Sequence, residues 1–337
     1  MVAFPTETVY GLGADARNPG AVARIFAIKG RPHTHPLIVH LGDAALLDEW
    51  CERPSAAARL LAERFWPGPL TVVVRRAAHV LDAVTGGLST VALRVPAHPV
   101  ALSLLVHFGG GIAAPSANRF GAVSPTTAAH VRDDLGAAVD LILDGGACEV
   151  GLESTIVDVS GTHPAILRPG GVAREAIEAV LGLSVPLRHG GPVRSPGQMR
   201  QHYAPRARVE RSTRGALAAR AAALLAQGLR VAVWVSRPAP ALPAAVDLLD
   251  AGDGTVAQAQ TLYAALREVD RRGCDVVLVV EPEAVGIGLA VADRLRRAQG
   301  EGAGYDAGRW TDEMNGEGGD GARGDTTAPA DVIERGT

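Results

Sequence analysis

"VAFPTETVYGLGADARNPGAVARIFAIKG", residues 2–30, decides the fold class, because a strand grammar gives way within it to a helix grammar. The first part, VAFPTETVYGLG, reads as a strand from the start of the chain. Thr6 and Thr8 alternate along it, so a strand would aim both hydroxyls at one face, next to a glycine turn. In the second part Asn18 is the N-cap, Pro19 takes the first helical position and Gly30 is the terminator. Val22, Ile25 and Phe26 share one face of that helix.

Outward from this unit, PLIVHL, LTVVVR, TVALRVP, GGIAAPSAN, VDLILDGG, STIVDVS and AILRPG read as strands or strand ends. SPTTAAHVRDDLG and VAREAIEAVLG read as helices, the first starting near Ser124. Strands interspersed with helices predict an α/β (α+β) sheet domain over residues 1–182. Residues 183–209, including SVPLRHGGPVRSPGQMRQHYAPRARV, are rich in Pro and Gly without any period and read as a linker. A small βα-type domain follows over 210–300, and the acidic, Gly-rich stretch 301–337 reads as disordered.

The bulk figures set limits. A length of 337 residues and a hydrophobic fraction of 47% fit two globular domains with a tail. No apolar run is long enough for a transmembrane helix, and no signal peptide is visible. Cys51, Cys148 and Cys274 form no CxxC pair, which fits a reducing cytoplasm and predicts no structural metal. The net charge of -3 divides unevenly: 301–337 hold nine acids against three arginines, leaving 30 basic and 27 acidic residues before them. Neither part is basic enough to argue for nucleic-acid binding.

Gly11-x-Gly13 suggests a dinucleotide loop, but Ala16 stands where a third glycine belongs and no acid follows at the right distance. Lys29 is the only lysine in a chain that otherwise uses arginine. A cation at a helix end complements the dipole, yet arginine would serve that role equally well. Lys29 and Arg31 around Gly30 offer a polyphosphate a point charge and a planar fork. His33, His35 and His40 could be drawn as a metal site, but no carboxylate or cysteine joins them in sequence. Ser116 and Asn118 stand between a strand and a helix, where free N–H groups face anions; Ser124 could equally be an N-cap. Ser154 and Thr155 begin a strand, Arg168 ends one, and Trp66–Pro67 reads as a core turn.

In that order PTETVYGLG, KGRPHTHPLIVH, WPGPLTVV, TVALRVP, APSAN, ESTIVD and ILRPG resemble the YrdC-like family. SPGQMRQHYAP and the closing GIGLAVADRLRRA resemble the long, two-domain threonylcarbamoyl-AMP synthases of that family. The resemblance implies a twisted mixed sheet with flanking helices and a concave site, plus a small Rossmann-like C-terminal domain. It implies condensation of L-threonine, bicarbonate and ATP to threonylcarbamoyl-AMP and pyrophosphate, with Mg2+ accompanying ATP. Partner proteins then carry the group to an adenosine of ANN-decoding tRNAs.

By the same resemblance Thr8, His40, Arg94, Ser154 and the backbone of Ala114 fall on the threonine side. Arg31, His35, Thr90, Ser116, Ser124, Arg168 and Tyr203 fall on the nucleotide side, with Lys29 and Asn118 in the same motifs. Lys29 and Arg31 would steady the leaving pyrophosphate, and Arg94 would grip the threonine carboxylate bidentately. His202 and Tyr203 would let the linker close over the site. The family usually carries asparagine where this chain has His35, and a helix before the first motif where this chain starts at Met1. Two other readings compete: a related carbamoyl-transfer enzyme, normally accompanied by zinc-finger-like and acylphosphatase-like regions, and a non-catalytic RNA-binding module.

Overall fold

The structure, a computed structural model, describes residues 1–188 and 203–300. Most of the expected lid, His202 included, and the acidic tail lie outside the described residues. The first sheet is built from β1 (Val2–Phe4), β2 (Gly11–Asp15), β3 (Ile38–His40), β4 (Leu70–Arg75) and β5 (Thr90–Arg94). It is completed by β6 (Ile112–Ala113), β7 (Leu141–Ile142), β8 (Thr155–Asp158) and β9 (Ala165–Arg168). Its order is β7-β1-β2-β6-β3-β5-β4-β8-β9, with parallel and antiparallel pairs mixed.

The second sheet contains β10 (Arg208–Arg211), β11 (Val231–Val235), β12 (Asp247–Asp250) and β13 (Val276–Val279). All its pairs are parallel, in the order β10-β13-β11-β12, and helices Leu217–Leu225, Gly254–Arg271 and Gly288–Gln299 accompany it. The described residues form one compact unit. The chain is thus of the mixed α/β class, with a large mixed sheet and flanking helices. Among the described residues no helix is long and apolar enough to cross a membrane.

The two faces of the central strands differ because side chains alternate along each one. Val39, Val72, Val74, Val91, Leu93 and Val157 point into the main core, where Val22, Ile25 and Phe26 of helix Pro19–Lys29 also sit. The opposite face has a narrow apolar strip of Ile38, Ala92, Val73 and Ile156. In register with that strip stand His40 opposite Arg94 and Arg168 opposite Ile156. Polar side chains that would be misplaced in a core therefore collect on one face of the sheet.

Three local expectations are corrected. Thr6 and Thr8 are not in a strand; β1 ends at Phe4 and the next strand starts at Gly11. Thr6 Oγ1 instead donates to Val9 O at 2.6 Å and accepts from the amides of Thr8 and Val9, a side-chain turn that competes with strand pairing. Gly11 and Gly13 are not a turn but lie inside β2. A Cβ on Gly13 would come within 2.8 Å of Phe4 and 2.9 Å of Ile112, so glycine is required by packing. Finally, the helix expected near Ser124 begins at Ala128, with Thr127 accepting from His130 N as N-cap. Ser124 is left available for another role.

Candidate active site

Helix Pro19–Lys29 starts on the Asn18 cap, whose side chain accepts from Ala21 N at 3.1 Å. It ends at Gly30 in the left-handed region (φ 63), and this stop delivers Lys29 and Arg31 to the polar face. Both are buried. Lys29 Nζ donates to Ser116 O and Asn118 O, each at 2.5 Å, with Asn118 Oδ1 at 3.4 Å. The ammonium therefore anchors the 116–118 loop, and what it offers a ligand is its charge rather than a free N–H. Burial and the neighbouring Arg31 charge hold the Lys29 pKa well below the ordinary lysine value.

Arg31 Nη2 donates to Pro36 O at 3.0 Å, its guanidinium lies 5.8 Å from the Phe120 ring, and its Nε has no partner among the described residues. Burial brings it down to about 10. His35 packs on the same Phe120 at 5.6 Å and is held neutral, at about 4, by burial and by Arg31.

On the other side, Arg94 Nη1 donates to Thr8 Oγ1 at 2.8 Å, and Thr8 Oγ1 lies 2.8 Å from Thr6 Oγ1. Arg94 Nε donates to Gly68 O at 3.2 Å, so the Trp66–Pro67 turn, besides packing Trp66 in the core, supplies an acceptor here. Arg94 Nη2 pairs with Glu7 Oε1 at 2.7 Å, both side chains being buried. Ser154 Oγ shares a 2.7 Å hydrogen bond with Thr71 Oγ1 and accepts from Arg168 Nη2 at 3.1 Å. Ala114 N donates to Ile38 O at 2.9 Å, which sets that backbone against β3.

Glu7 is taken by Arg94 and Glu153 by Arg294, while neither Lys29 nor Arg31 has an ion-pair partner among the described residues. Removing such charges from water costs several kcal/mol each unless a counter-charge arrives. The arrangement can therefore accept a polyanion at Lys29 and Arg31, whereas the Glu7–Arg94 pair is already charge-balanced. No group of three or more His, Cys, Asp or Glu among the described residues is placed to hold a metal; His33 packs on Phe26 and His40 against Phe4.

The family model described as "Telomere recombination" matches residues 1–170, and the one described as "Threonylcarbamoyl-AMP synthase, C-terminal domain" matches residues 172–300. A threonylcarbamoyl-AMP synthase of Pyrococcus abyssi is 43% identical over 311 residues, which cover 89% of this chain and 90% of the relative. One of Bacillus subtilis is 40% identical over 317 residues, covering 89% of each chain. The chain belongs to the threonylcarbamoyl-AMP synthase family. The crystal structure of P. abyssi Sua5 complexed with L-threonine matches it with a TM-score of 0.83 at 41% identity, over 88% of this chain and 90% of that one.

Within this threonylcarbamoyl-AMP synthase family member, the residues named from sequence sort by place. Thr8 and Arg94 are in direct contact, as are Ser154 and Arg168, and Lys29 with Ser116 and Asn118. Thr90 is on the same face of β5 as Arg94, about 13 Å away along the strand. Tyr203 is buried 5.6 Å from Tyr263, stacked on it, with the Arg294 guanidinium 5.0 Å over its ring. Sequence reasoning missed Glu7, Thr71, Phe120, Glu153, Tyr263 and Arg294. Glu7 and Glu153 stand inside the quoted motifs, but their partners are remote: Arg294 is 141 positions from Glu153.

His40 makes the fold sensitive to acid. Burial and then the Arg94 charge lower its pKa from 6.5 to about 3. The fold thus favours neutral imidazole, and its contribution is whole above pH 6.5 and lost as the pH falls toward 3. At pH 5 the loss from this one group is about 2 kcal/mol. Denaturant unfolding at pH 7 and pH 5 is expected to show a smaller decrease for His40→Gln than for the wild type; equal decreases would exclude His40 as the source.

Proposed function

We propose that this chain condenses L-threonine, bicarbonate or CO2, and ATP into threonylcarbamoyl-AMP and pyrophosphate. The observation that carries this reading is the buried Lys29 and Arg31 without a carboxylate partner among the described residues, in a site that also holds the charge-balanced Thr8–Arg94–Glu7 cluster. Family membership and the L-threonine complex of the P. abyssi relative support it.

The chemistry asks for placement more than for covalent catalysis. Threonine ammonium and bicarbonate give the carbamate, one water and one proton. A carbamate oxygen then attacks the α-phosphorus of ATP, the bond from that phosphorus to the β-phosphate bridging oxygen breaks, and pyrophosphate leaves with the electron pair. Lys29 and Arg31 balance charge on the polyphosphate, and Lys29 also fixes the 116–118 loop. Mg2+ accompanying ATP would add positive charge on the polyphosphate, and no side chain among the described residues is assigned to hold it. Arg94, already paired with Glu7, orients the threonine carboxylate through its remaining N–H groups while Thr8 and His40 line the pocket. Ser116, Asn118, Ser124, Arg168, His35, Thr90 and Tyr203 bound the nucleotide.

The product is an activated acyl group, so partner proteins transfer it to tRNA in the cytoplasm. The test is pyrophosphate release from ATP by the purified full chain. Release is expected to require both threonine and bicarbonate; no stimulation by threonine would sink the proposal.

A further inference from the structure

Glu153 is buried one residue before Ser154, and its two carboxylate oxygens have separate duties. Oε1 accepts from Ser124 Oγ at 2.6 Å. Oε2 accepts from Tyr263 Oη and from Arg294 Nε, each at 2.9 Å. Tyr263 and Arg294 come from helices Gly254–Arg271 and Gly288–Gln299, which belong to the C-terminal sheet region. Arg294, fully buried, also donates to Pro169 O at 3.0 Å and pairs with Asp293 at 2.6 Å. Burial alone would raise the carboxyl pKa of Glu153. Arg294, Arg168 and the hydrogen bonds outweigh it and bring the group to about 2, so it is ionised.

An ionised carboxylate only accepts hydrogen bonds, and a serine hydroxyl has one proton. That proton is committed to Glu153, so Ser124 has only lone pairs left for anything else. We propose that Glu153, held by Arg294 and Tyr263, is a positioning residue that fixes Ser124 as a pure hydrogen-bond acceptor, so that the site takes an N–H or O–H of the nucleotide there and turns away a phosphate oxygen. This rests on the nucleotide reading above. The donor is the exocyclic amine of the base or a ribose hydroxyl.

Glu153→Gln tests the idea by hydrogen-bond arithmetic. Arg294 Nε–H cannot accept, so the glutamine must turn its oxygen toward Arg294 and Tyr263 and its NH2 toward Ser124. Ser124 then accepts from the amide, and its own proton points at the nucleotide, donor against donor. The polarity of Ser124 is reversed without change of size.

The full chain is compared as wild type, E153Q, S124A and the double variant, with KM measured for ATP and for threonine. E153Q is expected to raise the KM for ATP about tenfold, the worth of one hydrogen bond. Its kcat and its threonine KM should move far less, which a merely structural defect would not spare. In the S124A background E153Q should add nothing. Inosine triphosphate, 2′-deoxy-ATP and 3′-deoxy-ATP find the donor: the analogue lacking it should bind wild type and S124A equally.

An unchanged ATP KM in E153Q, or an equal penalty with and without the Ser124 hydroxyl, overturns the inference. Should E153Q fail to fold, S124A decides alone, because retained discrimination against all three analogues also overturns it. Absence of threonine-dependent pyrophosphate release in the wild type would instead count against the enzyme reading itself.

Discussion

Lys29→Met is expected to lower threonine-dependent pyrophosphate release by about 10²–10³-fold, the range seen when a preorganised charge-stabilising group is removed. Two consequences of the geometry add together. The charge proposed to meet the polyphosphate is lost, and the 116–118 loop loses its anchor at Ser116 O and Asn118 O. Stability should change little, because two opposing effects nearly offset each other. Removing an uncompensated buried ammonium relieves a cost of several kcal/mol, while two buried carbonyls lose their donor at about 1–3 kcal/mol each. Activity and Tm should therefore part company. Lys29→Arg separates charge from shape: two carbonyls at 2.5 Å suit a compact ammonium, and a planar guanidinium cannot occupy that space without moving the loop. A loss of at least about tenfold is expected from the charge-preserving change, on the scale of one misplaced hydrogen bond. Near-normal activity of K29R would make the single lysine an accident of composition.

Arg94→Met is expected to destabilise the protein by about 3–5 kcal/mol, because it leaves Glu7 buried as an uncompensated charge. Glu7 Oε2 still accepts from Ala97 N at 3.1 Å, but Oε1 loses its counter-ion. The same change removes the donor to Thr8 Oγ1 and the brace on Gly68 O. A double variant, Glu7→Gln with Arg94→Met, should recover much of the stability and none of the threonine use. Denaturant unfolding measures the first half of the statement and threonine titration of pyrophosphate release the second. If the double variant were as unstable as R94M alone, the buried pair would not be the source of the loss. If either variant kept a normal threonine KM, Arg94 would have no place in the threonine pocket.

Much of the fold could be read locally. Asn18, Pro19 and Gly30 announce the start and stop of a helix whose caps the structure reproduces, since these signals act over a few residues through single hydrogen bonds and φ values. Strand identity was legible for TVALR and TIVD, which are rich in β-branched residues, and in TVALR the polar Thr90 and Arg94 share one face. It failed for PTETVY, because a threonine hydroxyl can satisfy nearby amides itself, and only the surrounding packing decides whether it does so. The helix start near Ser124 failed for a related reason. Ser124 gives its proton to Glu153 across the fold, and Thr127 takes over the capping.

The sequence by itself determined the class of fold, the family and the motifs that supply Lys29, Arg31, Arg94, Ser154 and Arg168, because propensity, capping and motif identity are properties of neighbouring residues. Which of these cations would be neutralised was decided only in three dimensions. Arg94 meets Glu7 across 87 positions of chain numbering and Arg294 meets Glu153 across 141, whereas Lys29 and Arg31 meet carbonyls and an aromatic ring. A buried charge takes its chemistry from what lies within about 4 Å of it, and sequence distance says nothing about that radius.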